Sequence, residues 1–421
     1  MKITGIIAEF NPLHNGHALL FKRAREITGA DIIIVILSGA FVQRGAPALF
    51  SKYARSEAAL ACGADLIVEL PVFSACASAE YFAEGALRLL FDLGADSFVF
   101  GSEAGTLEGL LPLSGLLCEE PLEYRIALKD ALATGLSFPA ARKKAVLSIM
   151  PDAAPLLDEP NNLLGLEYLK VCKKRGYPMA AHTILRQGAG YHEKTLNEIP
   201  SAENNQNTSA TALRAYWETG ANNTSLPGYF MPKAAFKIFD REYTNRAFVT
   251  ETALSSLLAL RLLQCREADE LSVYADMSRS LANRIFSQRY SNIDFPEFAI
   301  SLKTRELTLT RIKRALLHTV LGITETEQEE FRALPHSPYA RILGIGGRAR
   351  PFLRGAKKDS KSSRPPLILK PARAEKLLTP KAYSFFQKDI ACAELYRQLL
   401  FQNGASSLFY NEFTHEIIRS E

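Results

Sequence analysis

The seven residues Asp31-Ile32-Ile33-Ile34-Val35-Ile36-Leu37 decide the fold. A β-branched run with no polar alternation, too short for a buried helix, is a strand covered on both faces. Working outward, similar apolar runs occupy 2–10, 65–70 and 97–100, and helical patterns fall between them at 16–27, 52–62 and 79–92. Buried strands alternating with helices predict an α/β unit with a parallel sheet covered on both faces. Ligands of such sheets sit at the carboxyl ends of the strands. Three polar segments fall there: residues 11–17, 38–45 and 101–103.

Residues 106–176 read as mostly helical, broken at Pro139, Pro151, Pro155 and Pro160, and 178–185 suits a further strand. The Asn-rich segment 201–209 reads as a loop, and from about 231 the pattern turns helical, notably at 251–266, 275–286 and 308–321. Residues 346–366, rich in Gly, Pro, Ser and basic side chains, read as an exposed loop, with a short strand at 367–369 and a final helical segment after it. A chain of 421 residues is too long for one ordinary core. The expected division is an α/β catalytic domain over 1–230, including the helical segment 106–176, followed by a mainly α-helical basic domain over 231–421.

Charge follows the same division. Residues 231–421 carry 30 Lys and Arg against 21 Asp and Glu, whereas residues 1–230 carry 20 against 24. A basic second half suits a polyanionic partner. The six cysteines have no paired short spacing, which argues against a zinc site or a disulfide framework and for free thiols in a reducing cytoplasm. No apolar stretch is long enough to span a bilayer, and the N-terminus does not read as a signal peptide.

The first polar segment carries His14-Asn15-Gly16-His17, an H-x-G-H tetrad where the first strand meets the first helix. A helix N-terminus offers unpaired N–H groups and partial positive charge to phosphate. Gly16 admits close approach, Asn15 is a candidate cap, and Asn11-Pro12 stiffens the turn leading in. Two imidazoles can donate hydrogen bonds to a transferring phosphorus and a leaving pyrophosphate. Neither a Walker A loop nor G-x-G-x-x-G follows the first strand, which excludes the P-loop and dinucleotide-binding classes. Ser209-Ala210-Thr211-Ala212-Leu213-Arg214 resembles the S-x-T-x-x-R element that closes the ATP site of H-x-G-H nucleotidyltransferases. His14, His17, Ser209, Thr211 and Arg214 are the candidate catalytic residues.

Over essentially its whole length the sequence resembles the bacterial tRNA(Met) cytidine acetate ligase family. The matching segments are EFNPLHNGH at 9–17, SGAFVQRGAPA at 38–48, SKYAR at 51–55, GADLIVELP at 63–71, FGSE at 100–103, PNNLLG at 160–165, SATALR at 209–214 and TRIKR at 310–314. The resemblance implies a Rossmann-like nucleotidyltransferase domain. It further implies that acetate is activated with ATP to acetyl-adenylate and passed to N4 of the wobble cytidine of elongator tRNA(Met). AMP and pyrophosphate are released, and Mg2+ accompanies ATP. The implied ATP site comprises Ile7, Ala8, Glu9, Phe10, Asn11, Pro12, Leu13, His14, Asn15, Gly16, His17, Ala18, Leu19 and Leu20, with Gly101, Asn162 (Asn161 beside it) and Arg186. Gln43, Arg44, Lys52 and Arg55 are candidates for the acetate and acyl-transfer side. No protein-bound metal and no membrane partner are expected.

For tRNA phosphates the candidates are Lys303, Arg305, Arg311, Lys313 and Arg314, then Arg341, Arg348, Arg350 and Arg354, with Lys357, Lys358, Lys361, Arg364, Lys370 and Arg373 continuing the basic run. Tyr339 and Phe352 suit core packing better than base stacking. Two other functions remain open at this point. One is a nicotinate- or nicotinamide-mononucleotide adenylyltransferase, whose family shares the H-x-G-H segment but usually begins it with Gly-Gly where this chain has Ala8-Glu9. The other is a non-catalytic RNA-binding protein.

Overall fold

The computed structural model describes residues 1–186, 208–219, 226–358, 364–405 and 411–420, with the side chains of 356–358 excepted. Most of the Asn-rich segment, at 201–207, and the side chains of Lys357, Lys358 and Lys361 lie outside the described residues.

In chain order the first half forms β1 (Ile3–Ala8), α1 (Asn15–Thr28), β2 (Ile32–Ser38), β3 (Phe41–Val42), β4 (Ala46–Pro47), α2 (Lys52–Ala61), β5 (Leu66–Leu70), α3 (Val72–Ala75), α4 (Ala79–Asp92) and β6 (Ser97–Ser102). Helices α5 (Leu110–Glu119), α6 (Leu122–Ala133), α7 (Phe138–Leu147), α8 (Ala154–Leu157) and α9 (Pro160–Arg175) follow, then β7 (Ala180–Leu185) and α10 (Ala210–Glu218). The second half holds α11 (Lys233–Thr244), α12 (Ser255–Gln264), α13 (Arg279–Ser287), α14 (Phe295–Ser301), α15 (Leu309–Leu321), α16 (Glu325–Arg332), β8 (Ala340–Ile345), α17 (Arg350–Lys358), β9 (Leu367–Ile368), α18 (Ala374–Leu377), α19 (Pro380–Gln402) and β10 (Ile418–Arg419).

Strands β5, β2, β1, β6 and β7 lie side by side in that order, all parallel. The chain leaves β1 toward β2 and later returns to its other side with β6, so a topological switch point falls at the carboxyl end of β1. All seven residues of β2 are buried. Ile32, Ile34 and Ile36 enter one core with Leu87, Leu90 and Leu166, while Ile33, Val35 and Leu37 enter another with Phe21, Phe50 and Trp217. The period-two alternation of a strand divides one unbroken apolar run between two layers. A third core is built mainly by helices between residues 247 and 405, with Phe41, Val72 and Phe73 of the first half packed into it.

The sheet runs across residue 230, where the sequence suggests a domain boundary. Strand β8 pairs antiparallel with β5, and β9 and β10 both pair with β8. A buried ionic cluster fastens this junction. Lys52 Nζ donates to Glu69 at 2.9 Å and to Glu412 at 2.8 Å, and Arg341 Nη2 stands 3.3 Å from Glu412. Within 346–366, residues 347–358 are not the loop their composition suggests. Gly347–Ala349 make a 3-10 turn and Arg350–Lys358 a helix, with Ala349 and Phe352 buried against the sheet-side core. The helix expected from 275 begins at Arg279, capped by Ser278, because Asp276 takes a left-handed backbone (φ +64°).

Candidate active site

A cavity of about 490 Å³ opens at the carboxyl ends of β1, β6 and β7, where the topological switch predicts a ligand. Its wall is built from Ile7 to Asn11, His14, Gly16, His17, Gly101, Glu103 and Ile184 to Arg186. It continues along the β3–β4 hairpin (Val42, Gln43, Arg44, Ala46, Pro47) and along α10 through Ser209, Thr211, Arg214 and Glu218.

The histidine pair is locked by the start of α1. His14, not Asn15, is the N-cap: its Nδ1 accepts from the Gly16 N–H at 3.1 Å. His17 reaches back, its Nδ1 accepting from the His14 N–H at 3.2 Å, so the two imidazoles form a reciprocal capping box. An imidazole that accepts at Nδ1 carries its proton at Nε2. Each ring therefore keeps one donor, on the edge away from the backbone. Burial, reinforced by the Arg186 charge, pushes His14 down to about 3, and burial, with His14 and Arg186 beside it, holds His17 well below the ordinary histidine value. Both are neutral at pH 7. A Cβ on Gly16 would sit 3.0 Å from the His14 ring, so any larger residue there would press on the capping imidazole. Asn15 instead donates through its side chain to the Tyr229 carbonyl at 3.2 Å.

Two arginines flank the pair. Arg214 donates to the Asn11 carbonyl at 2.6 Å and to the Thr211 hydroxyl at 3.1 Å, tying α10 to the H-x-G-H loop. Ser209 caps α10 through the Ala212 N–H. Arg186, at the end of β7, donates to Asn161 Oδ1 at 3.2 Å and stands 3.7 Å from Glu103. Burial lowers both guanidinium pKa values without discharging them. Across the cavity, Glu9 Oε1 accepts from the Gln43 N–H at 2.8 Å and draws the hairpin toward β1.

A family model for HIGH nucleotidyl transferases matches residues 1–410. The tRNA(Met) cytidine acetate ligase of Acetivibrio thermocellus is 34% identical over 426 residues, covering 99% of this chain and 100% of the relative. That of Lysinibacillus sphaericus is 32% identical over 426 residues, with full coverage of both. The chain belongs to the tRNA(Met) cytidine acetate ligase family. Among solved structures, apo Thermotoga maritima TmcAL matches with a TM-score of 0.90 at 27% identity, covering 100% of this chain and 99% of that one. The same protein bound with alpha-thio ATP matches at 0.87 and 27%, with both chains fully covered.

Within this member of the ligase family, the structure sorts the site residues that the sequence suggests. Of residues 7–20, Pro12, Leu13, Asn15 and Ala18 are not on the wall; the other ten are, together with Gly101 and Arg186. Asn161 lines the cavity, whereas Asn162 is buried beneath it, its Oδ1 accepting from the Ala104 N–H. On the acyl side, Gln43 and Arg44 line the cavity. Lys52 and Arg55 do not. Lys52 is consumed by Glu69 and Glu412, and Arg55, fully buried, donates to the carbonyls of Glu9, Ser38, Gly39 and Phe50. Both hold the fold behind the site.

Among the basic candidates, Lys303, Arg305, Arg311, Arg348, Arg350 and Arg354 are exposed, and Lys313 is half-buried against Glu251. Arg314 and Arg341 are buried and ion-paired, with Asp276 and Glu412, and cannot meet a phosphate backbone. Tyr339 and Phe352 are core residues. Sequence reasoning passed over Glu159, Tyr168, Glu218 and Glu251, all on the cavity wall. For Glu218 the signal was present: it stands four residues after Arg214, hence on the same helical face.

Proposed function

We propose that this protein activates acetate with ATP and transfers the acetyl group to N4 of the wobble cytidine in elongator tRNA(Met). The observation that carries the reading is the capping box, which presents two neutral Nε2–H donors at the N-terminus of α1, between Arg186 and Arg214. A carboxylate oxygen of acetate attacks the α-phosphorus of ATP and pyrophosphate leaves. Charge grows on phosphate oxygens, where imidazole N–H groups, helix-terminal N–H groups and guanidinium groups are most stabilising. Arg44 is the cation assigned to the acetate carboxylate. Mg2+ would enter with the nucleotide, held mainly by phosphate oxygens and water as that ion usually is; no group of three metal-ligating side chains occurs among the described residues. The cytidine amine, its lone pair delocalised into the ring, is a weak nucleophile. Forming the mixed anhydride first divides one hard step into two easier ones.

The ligase relatives and the nucleotide-bound neighbour support the same reading. The exposed set Lys303, Arg305, Arg311, Arg348, Arg350 and Arg354 is assigned to tRNA phosphates. Incubation with ATP, labelled acetate and bulk tRNA, followed by nucleoside analysis, should give N4-acetylcytidine, and acetyl-CoA in place of ATP and acetate should give none. Product from acetyl-CoA alone, or no product with ATP and acetate, would refute the reading.

A further inference from the structure

Five carboxylates line the cavity: Glu9, Glu103, Glu159, Glu218 and Glu251. Three of them, Glu9, Glu103 and Glu251, are hydrogen-bonded or ion-paired. Glu103 accepts from Asn161 at 2.5 Å and faces Arg186, whose charge Glu159 also senses. Glu9 accepts from Gln43, and Glu251 is paired with Lys313. The side chains of Glu159 and Glu218 make no hydrogen bond or ion pair among the described residues, and Glu218 has Arg214, Glu251 and Lys313 as its charged neighbours. It closes the α10 face that carries Thr211 and Arg214, one turn beyond the arginine. Trp217, buried edge-on against Phe50 at 5.0 Å, fixes the rotation of that helix. Glu218 thus lines the cavity while remaining exposed to solvent.

We propose that Glu218 is the proton acceptor of acetyl transfer, first taking a hydrogen bond from the exocyclic amine of the incoming cytidine and then its proton. The proposal rests on the ligase reading and adds a residue to its second step. The amine lone pair forms the N–C bond to the acetyl carbon. The C–O bond to phosphate breaks, its electron pair leaving with AMP, and one N4 proton passes to the Glu218 carboxylate and on to water. AMP is a good leaving group and needs no acid, whereas the attacking nitrogen turns positive and must lose a proton or be expelled again. A carboxylate is also the side chain that pairs with a cytosine amine. Four influences set the charge of Glu218: partial burial against the wall and the neighbouring Glu251 raise its pKa, and Arg214 and Lys313 lower it, with a net rise. That direction makes it a better base than an ordinary carboxylate.

The test uses the full-length protein and the variants Glu218→Gln and Glu218→Asp. Pyrophosphate exchange with acetate but no tRNA reports the first step; single-turnover transfer from preformed acetyl-adenylate, followed across pH, reports the second. The wild-type transfer rate should rise with pH through a titration above the usual carboxylate range. In Glu218→Gln it should fall by about 10²–10³-fold and lose that rise, with exchange persisting. Glu218→Asp should restore part of the rate and the pH dependence. Transfer by Glu218→Gln within a few-fold of wild type, on the wild-type profile, would overturn the proposal. Loss of exchange together with transfer would overturn it too, placing Glu218 in the ATP half or in the fold. Wild-type protein that shows no acetate-dependent exchange would sink the ligase reading itself, an outcome distinct from either.

Discussion

His14 carries two burdens at one position: it caps α1 through Nδ1 and leaves Nε2–H for the cavity. The burdens can be separated, because asparagine is among the best N-caps but has no imidazole. His14→Asn should stay folded, within about 1 kcal/mol of wild type by urea denaturation, while acetate-dependent pyrophosphate exchange falls by about 10²–10³-fold. Full exchange in the variant would remove His14 from the chemistry. The same residue makes a pH prediction. Its pKa is depressed to about 3 in the folded chain, against 6.5 for an unperturbed histidine. Below pH 6.5 the unfolded chain binds a proton that the native site refuses, so stability is present above that pH and is lost as pH falls toward 3. From pH 7 to pH 5 this residue alone should cost about 2 kcal/mol, a loss that His14→Asn should escape. At the residue scale the sequence located two local motifs, H-x-G-H and S-x-T-x-x-R, whose His14, His17, Ser209, Thr211 and Arg214 line one cavity. It misled at Lys52, Arg55, Arg314 and Arg341, because a buried, paired cation is written with the same letter as an exposed one.

The β3–β4 hairpin shows what a short element contributes. It presents Gln43 and Arg44 to the cavity, and its turn residue Gly45 has φ +76°. A Cβ there would land 2.4 Å from the Arg314 backbone nitrogen, so the hairpin rests directly on α15 and only glycine fits. Gly45→Ala should cost about 1–3 kcal/mol, combining left-handed strain with a backbone clash that no side chain can relieve. The displaced Arg44 should raise the KM for acetate in the exchange assay more than that for ATP. Unchanged melting and unchanged KM would show that the hairpin does not depend on this contact. Elements with strong periodicity, β1, α1, β2, α2, β5, α4 and β6, were legible, whereas the two-residue strands of the hairpin were not. Strand β8 was not: six apolar-leaning residues fit a strand or a buried helix equally, and its partner β5 lies some 270 positions earlier, beyond any periodic signal. Helix α17 was hidden by Gly, Pro and clustered charge, although Ala349 and Phe352 at its start bury an apolar face.

At the scale of the molecule, charge asymmetry reads correctly as a total and poorly as a map. The excess of basic residues after 231 is partly spent inside, since Arg314 is held by the Asp276 carboxylate at 2.7 Å and Arg341 by Glu412. What remains exposed is Lys303, Arg305 and Arg311 in one group and Arg348, Arg350 and Arg354 in another, the set proposed above for tRNA phosphates. The two kinds of arginine should answer differently to the same substitution. Reversing Lys303, Arg305 and Arg311 to Glu should leave melting close to wild type, because exposed charges contribute little to stability. It should weaken tRNA binding and flatten the dependence of log Kd on log salt by about 0.7–0.9 per lost phosphate contact. Reversing Arg314 should instead unfold or strongly destabilise the chain, by about 3–5 kcal/mol, because it buries a second carboxylate against the half-buried Asp276 beside the hairpin. Binding titrations at three salt concentrations, with thermal melts of the same samples, separate the two effects. If the triple variant bound tRNA with the wild-type salt slope, the exposed group would not be the tRNA surface. If Arg314→Glu melted normally and lost only tRNA affinity, its pairing with Asp276 would not be the structural link that the packing of α15 requires.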